Sequence, residues 1–212
     1  MDDIYTPMHE VLTEKTVGTA RVEHYTISEA DAQFSQMRAV VTARRNEAVD
    51  AGKHVRLYVD GTLAMSDTCM ERCSNYSFVR KANGNVLIAG LGLGLILLPA
   101  LQKKEVKLIQ VVEKNEDVMS VVVPQLHKYI RDHKLNRRLM VVNADIFKYK
   151  PYKDEKWDTI YFDIWPTICT DNLKEITKLK RKFGRRLNRE NSKCWMGAWQ
   201  EDHLRNKKRG GW

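Results

Sequence analysis

The residues best suited to chemistry in this sequence are three glycines and three acids, set far apart along the chain. Gly90, Gly92 and Gly94 alternate within NVLIAGLGLGLILLPAL (85–101), directly after the apolar run 86–89. Glycine lets a backbone turn tightly and approach a ligand, because no Cβ stands in the way. A helix beginning just after the turn would aim its unpaired amides and the positive end of its dipole at that ligand. Glu113 lies nineteen residues beyond Gly94, about the interval at which an acidic side chain meets ribose hydroxyls. Asp145 and Asp163 come after two later apolar runs, with Trp165 close behind. A carboxylate such as Asp163 takes or positions a proton. The face of Trp165 suits a base or a cation. Each has a plainer alternative: Asp145 and Asp163 as caps of the helices or turns next in the chain, Glu113 as a solvent-facing strand end, and Trp165 as packing beside Pro166. Met65, Asp67 and Arg72 either line the same pocket or serve core and surface. Cys69 and Cys73 are one helical turn apart, but no histidine pair lies near and no HxxxH or HExxH spacing occurs, so no metal is expected.

These residues need strand ends to hold them. Residues 86–89 have the pattern of a strand buried on both faces of a parallel sheet. Further strands are expected at 106–112, 139–142 and 159–163, with a last one at 194–199. Helices are expected at 95–103, at 115–130 and from an Asp171 cap to about 187. Pro99 falls about a turn inside the first of these, and Pro124 kinks the second. Strands alternating with helices in this way specify a doubly wound α/β sheet. Its ligands lie beyond the carboxyl ends of the strands, at the switch in strand order, where the glycine turn, Glu113, Asp145 and Asp163 all fall. Upstream, 21–27 alternates as a strand. Ser28 caps a helix that carries Ala30, Phe34, Met37, Val40, Val41 and Ala48 to Asp50 and ends at Gly52. Strands at 54–59 and 62–66 meet through Asp60-Gly61, a strong hairpin signal, and 67–82 reads as a helix. Residues 1–18 show no period, and the chain from Asp202 onward reads as a disordered basic tail.

Composition narrows the setting. Hydrophobic content of 43% and charged content of 30% are those of an ordinary soluble domain. No apolar run approaches the roughly 20 residues that cross a bilayer, so no membrane partner is expected. The acidic, polar start MDDIYTPMHE lacks the pattern of a signal peptide, and four cysteines without a CxxC read as free thiols. Both point to the cytoplasm. Residues 172–212 carry 13 Lys+Arg against 4 Asp+Glu, which equals the whole formal net charge of +9. Such asymmetry suggests nucleic-acid contact through the basic C-terminus; the plainer reading is a solvated helix face and a frayed end.

The successive runs VLIAGLGLG, VVEKNEDV, VNADIF and DTIYFDIWP resemble the motifs of class I S-adenosylmethionine-dependent methyltransferases. LYVDGTLAMSD, ahead of the glycine strand, is similar to the N-terminal hairpin of the spermidine-synthase-like branch. DIWP, with DNL shortly after it, resembles small methyltransferase-like proteins of bacteriophages, which would place the chain in a host cytoplasm. The resemblance spans roughly 54–180 and implies S-adenosylmethionine as cofactor and a methyltransferase activity of unknown acceptor, small molecule or nucleic acid. It implies that Gly90, Leu91, Gly92 and Gly94 face the methionine part, Glu113 the ribose and Asp145 the adenine amino group. Lys114, Ile146 and Asp163 join the cofactor site beside them, and Asp163 and Trp165 stand at the reacting centre. The implied fold is a Rossmann-like methyltransferase sheet, C-terminally truncated, with an N-terminal helix and β-hairpin extension. The implied division is 1–82 for the extension, 83–200 for the cofactor-binding domain and 201–212 for the basic tail.

Three departures limit what carries over. Spermidine synthases hold their diamine with a second aspartate in D-S-S-D-P, where this chain has Asp163-Ile164-Trp165-Pro166. Their hairpin glutamine aligns with Ala64. Both disfavour aminopropyl transfer. Third, methyltransferases of this class usually have seven strands; the sheet here is truncated or completed by N-terminal elements, and an exposed edge invites a homodimer. Rival readings are an enzyme that cleaves the cofactor without an acceptor, and a cofactor- or nucleic-acid-binding module without transferase activity.

Overall fold

The computed structural model describes residues 4–42, 48–135 and 138–208. In chain order its first elements are α1 (Met8–Val11), β1 (Lys15–Val17), β2 (Ala20–Ile27), α2 (Glu29–Val41), β3 (Gly52–Val59), β4 (Thr62–Ser66) and α3 (Cys69–Lys81). Then come β5 (Gly84–Ala89), α4 (Leu97–Gln102), β6 (Val106–Glu113), α5 (Glu116–Asp132) and β7 (Arg138–Asn143). The last are β8 (Thr159–Phe162), α6 (Asn172–Phe183), a 3-10 turn at Gly184–Arg186, β9 (Trp195–Ala198) and α7 (Glu201–Lys208). They divide into two interleaved units.

The first unit takes in the chain to Tyr76, Gly92–Pro99 and Glu116–Leu135. Its sheet is antiparallel in the order β1-β2-β3-β4. The β3–β4 hairpin turns at Asp60 and Gly61, both with positive φ, as a type I′ turn requires. α5 packs against β1 and β2. Asp117 of α5 accepts from both Thr19 N and Thr19 Oγ1 at 2.8 and 3.0 Å. Val118, Val121, Val122, Leu126 and Ile130 form the buried stripe of α5, the residues its helical period specifies.

The second unit takes in Ser77–Leu91, Ala100–Asn115 and the described chain from 138 onward. Its sheet is wholly parallel in the order β7-β6-β5-β8-β9. The chain steps outward from β5 to β7, then returns to the other side of β5 with β8. That reversal defines a doubly wound, Rossmann-like α/β sheet, with its switch point beside β5. Val86, Leu87, Ile88 and Ala89 are all at most 1% exposed, as a central parallel strand demands. Trp157, Ile160, Phe162, Ile176, Leu179 and Phe183 lead the core of this unit.

Several sequence expectations are corrected. α2 ends at Val41 rather than Asp50, and Gly52 opens β3 instead of closing the helix; of the expected remainder, 43–47 lie outside the described residues. α4 begins at Leu97, not 95, which puts Pro99 in the first turn, where its missing N–H costs nothing. Asp171 precedes α6 without a side-chain capping bond and pairs with Lys174 at 3.1 Å instead. Residues 202–208, expected to be disordered, lie within α7, which Leu204 anchors at 1% exposure. Residues 1–18, which show no period, supply α1 and β1. Among the described residues no helix is long and apolar enough to cross a membrane.

Candidate functional site

Strand register assembles the site. Ala89 of β5 is the partner of Val112 in β6 and of Phe162 in β8. The next residue on each strand is therefore Gly90, Glu113 and Asp163, level with one another at the carboxyl ends of three neighbouring strands. Parallel strands lie about 4.8 Å apart, so three positions separated by 73 residues of sequence become adjacent on the backbone. Glu113 in turn pairs with Asn143 of β7, two residues before Asp145.

Gly90 has φ +96°, and a Cβ there would collide with the Asp163 carbonyl oxygen. Only glycine satisfies both conditions. The Gly90 amide donates to Val112 O at 2.9 Å and the Asp163 amide to Ala89 O at 2.8 Å, which continues the ladder past the strand ends. Half-buried Glu113 reaches back over the turn. Its Oε2 accepts from Leu91 N and its Oε1 from Asn115 N, each at 2.8 Å. The Asn143 side chain, which sequence reasoning missed, donates to the carbonyls of Glu113 and Lys114 at 3.2 Å. An asparagine directly after an apolar strand is the signal that would have found it.

Asp145 Oδ1 accepts from Phe147 N at 2.8 Å, so the capping alternative holds for one of its oxygens. Lys182 of α6 fastens the same turn by donating to Ile146 O and Phe147 O at 3.1 and 2.8 Å. Burial pulls the Lys182 pKa below the ordinary lysine value, against the opposing pull of the Asp145 charge. The Ile146 side chain belongs to the core of the unit, and the Lys114 side chain is exposed. Trp165 is half-buried and donates Nε1–H to Glu175 Oε2 at 2.6 Å. That bond fixes the ring while its body packs on the core.

The later part of the glycine turn belongs to the first unit. Gly92 has φ +51°, and its Cβ position is filled by Met65 Sδ, which also accepts from Leu93 N at 3.1 Å. A Cβ on Gly94 would meet the Leu126 side chain. The amides of Gly90, Leu91 and Leu93 are thus bonded within the protein. The expectation that a helix N-terminus sits at the turn is corrected, because α4 starts only at Leu97 and has six residues. The turn offers close backbone approach rather than a helix dipole.

In the same unit Asp67 is fully buried; its Oδ1 accepts from Val55 N at 2.9 Å and lies 3.2 Å from His54 Nδ1. The Cys69 and Cys73 sulfurs lie 3.3 Å apart. Among the described residues no group of three or more His, Cys, Asp or Glu is placed to hold a metal ion.

No protein-family model matches this chain, and no curated protein matches it either. Among solved structures it is similar to the CcbJ methyltransferase of Streptomyces caelestis, with 18% identity, 54% of this chain and 44% of that one covered, and a TM-score of 0.40. It is also similar to the N-methyltransferase NodS of Bradyrhizobium japonicum, with 12% identity, 55% and 62% covered, and a TM-score of 0.41. A third is the [4+2]-cyclase SpnF, with 17% identity, 53% and 41% covered, and a TM-score of 0.38. This chain spans less than two thirds of each. At these scores the likenesses carry no argument about chemistry, and the fold stands on its own strand order.

Proposed function

We propose that the chain binds S-adenosylmethionine at the carboxyl ends of β5, β6, β7 and β8 and transfers its methyl group to an acceptor nucleophile. The observation that carries this reading is the register that sets Gly90, Glu113 and Asp163 side by side at the switch point. The donor set fits the cofactor. A carboxylate has about four lone-pair sites, and Glu113 spends one from each oxygen on backbone amides, leaving room for two ribose hydroxyls. Gly90 and Leu91 let the methionine part approach the backbone at the end of β5, and the second oxygen of Asp145 suits the adenine amino group. Lys114 and Ile146 contribute chiefly backbone to that edge.

The bound cofactor supplies an electrophilic methyl on a sulfonium. The protein then aligns the acceptor and removes the proton a neutral amine must lose. Asp163, one residue past β8 and half-buried, takes that proton or orients the amine. Trp165, fixed by Glu175, presents its face to the cationic centre. The β3–β4 hairpin preceding the central strand supports the spermidine-synthase-like branch. With Ile164, Trp165 and Pro166 after Asp163, a second carboxylate for a diamine is lacking there, so methyl transfer is favoured over aminopropyl transfer. Asp163→Asn tests the assignment by transfer of a labelled methyl from S-adenosylmethionine to small amines and nucleic acids. The variant should keep its affinity for S-adenosylhomocysteine within about threefold, a change under 1 kcal/mol, and lose transfer to whatever acceptor the parent uses. Equal transfer rates would remove Asp163 from the chemistry.

A further inference from the structure

A second feature of the parallel-sheet unit lies at the opposite end of β8. Backbone bonds from Trp157 N to Arg186 O at 2.9 Å and from Asn188 N to Trp157 O at 2.8 Å hold the segment before β8 against the turn after α6. An open cleft of about 550 Å³ is formed there, lined by Lys156, Arg181, Arg185 and Arg189, with Leu187 and Glu190. Lys180 also lines it but is engaged by Glu201 at 2.6 Å. Lys156, Arg181, Arg185 and Arg189 are all exposed, and none of the four is in an ion pair among the described residues. Arg186 donates to Tyr152 O at 2.8 Å and to Lys153 O, which ties the loop bearing Lys156 to the same turn. On that loop the Tyr152 ring stands 82% exposed.

We infer that this cleft, together with exposed Tyr152 on the loop that bears Lys156, is a docking site for single-stranded nucleic acid, independent of the cofactor reading. Three of its four unpaired cations are arginines, whose planar forks match phosphate oxygens. A cationic groove and an exposed aromatic ring on a loop that contributes to it are the combination that holds unpaired bases by stacking. A membrane surface fits poorly, since the apolar side of α6 (Leu173, Ile176, Leu179, Phe183) is buried in the core and cannot enter a bilayer. An acidic protein partner fits poorly too, because half-buried Leu187 gives the cleft no large apolar anchor. The cleft lies near the amino end of β8 and Asp163 lies past its carboxyl end, about 13 Å of strand away.

The test is fluorescence anisotropy with labelled oligouridylate and oligothymidylate of about 15 nucleotides, and a duplex of equal length, titrated with the full chain over a salt series. Four phosphate contacts give a slope of log affinity against log salt of about −3 for single strands. Replacing Arg181, Arg185 and Arg189 together by alanine should flatten it to about −1. Tyr152→Ala should weaken single-strand binding about fivefold or more with the slope unchanged. Both variants should unfold at the parent's temperature and keep its affinity for S-adenosylhomocysteine. Either sugar satisfies the inference, and the tighter strand identifies RNA or DNA as the source. A parent slope flatter than −1 would overturn it, as would unchanged affinity in the triple variant. So would equal binding of duplex and single strand with no effect of Tyr152→Ala, which would reduce the cleft to a general polyanion surface.

Discussion

Glu113 shows how much one side chain does at a strand end. As the last residue of β6 it closes the ladder, and with two charge-assisted bonds it fixes Leu91 and Asn115 on either side of itself. Such bonds are worth about 1.5–3 kcal/mol each, so the carboxylate is a positioning group before any ligand arrives. Asp145 is divided in the same way, with one oxygen on its own turn. Glu71, in the first turn of α3, behaves differently. Burial alone raises its pKa from 4.5 to about 7. The folded chain therefore binds this proton where the unfolded chain has released it, and stability falls as pH rises from about 4.5 to 7, then levels off. The change is on the order of 3 kcal/mol. Urea unfolding at pH 5 and pH 8 should show the parent losing stability at the higher pH, and Glu71→Gln should remove most of that loss. An undiminished loss in the variant would assign it to other groups.

At the scale of elements, sequence periodicity succeeds where one face is buried and fails where the packing residues are small. α5 carries its five buried apolar residues at the expected positions. α2 has an equally regular pattern and points it outward. Phe34, Met37, Val40 and Val41 are 70%, 69%, 63% and 86% exposed, while Ala32 and Ala39 are 2% and 4%. The helix packs through Ala32, Ser35 and Ala39, a narrow face that period counting ranks below the bulky one. Phe34→Ser and Met37→Ser should each change the unfolding free energy by less than about 0.5 kcal/mol. Ala32→Leu should cost about 1–3 kcal/mol by overpacking. A loss of several kcal/mol at Phe34 in denaturant titration would show instead that this face is covered. The short β1 strand and α1 were illegible for a related reason: a three-residue strand has too few alternations to show a period, and its pairing with β2 is set by tertiary contact. α7 was illegible because Leu204, almost alone among charged neighbours, anchors it.

For the molecule as a whole, the sequence made the parallel sheet readable because buried parallel strands are nearly continuous apolar runs. Four such runs end on or just before Glu113, Asn143, Asp163 and Gly90, and their order in space comes from the return of the chain to β5. The interleaving of the two units was not readable, since the glycine turn and α5 join residues whose neighbours lie elsewhere in the sequence. Charge is as unevenly placed as composition suggested, and four unpaired cations of the basic C-terminal half gather at one cleft with Lys156 among them. The reading of the whole turns on whether the strand ends hold the cofactor. Calorimetric titration with S-adenosylhomocysteine, on the parent and on Glu113→Ala and Glu113→Gln, decides it. Micromolar binding in the parent, about −8 kcal/mol, should be lost or weakened at least tenfold in both variants while their circular dichroism stays that of the folded chain. No heat of binding in a folded parent, or full affinity in both folded variants, would contradict it.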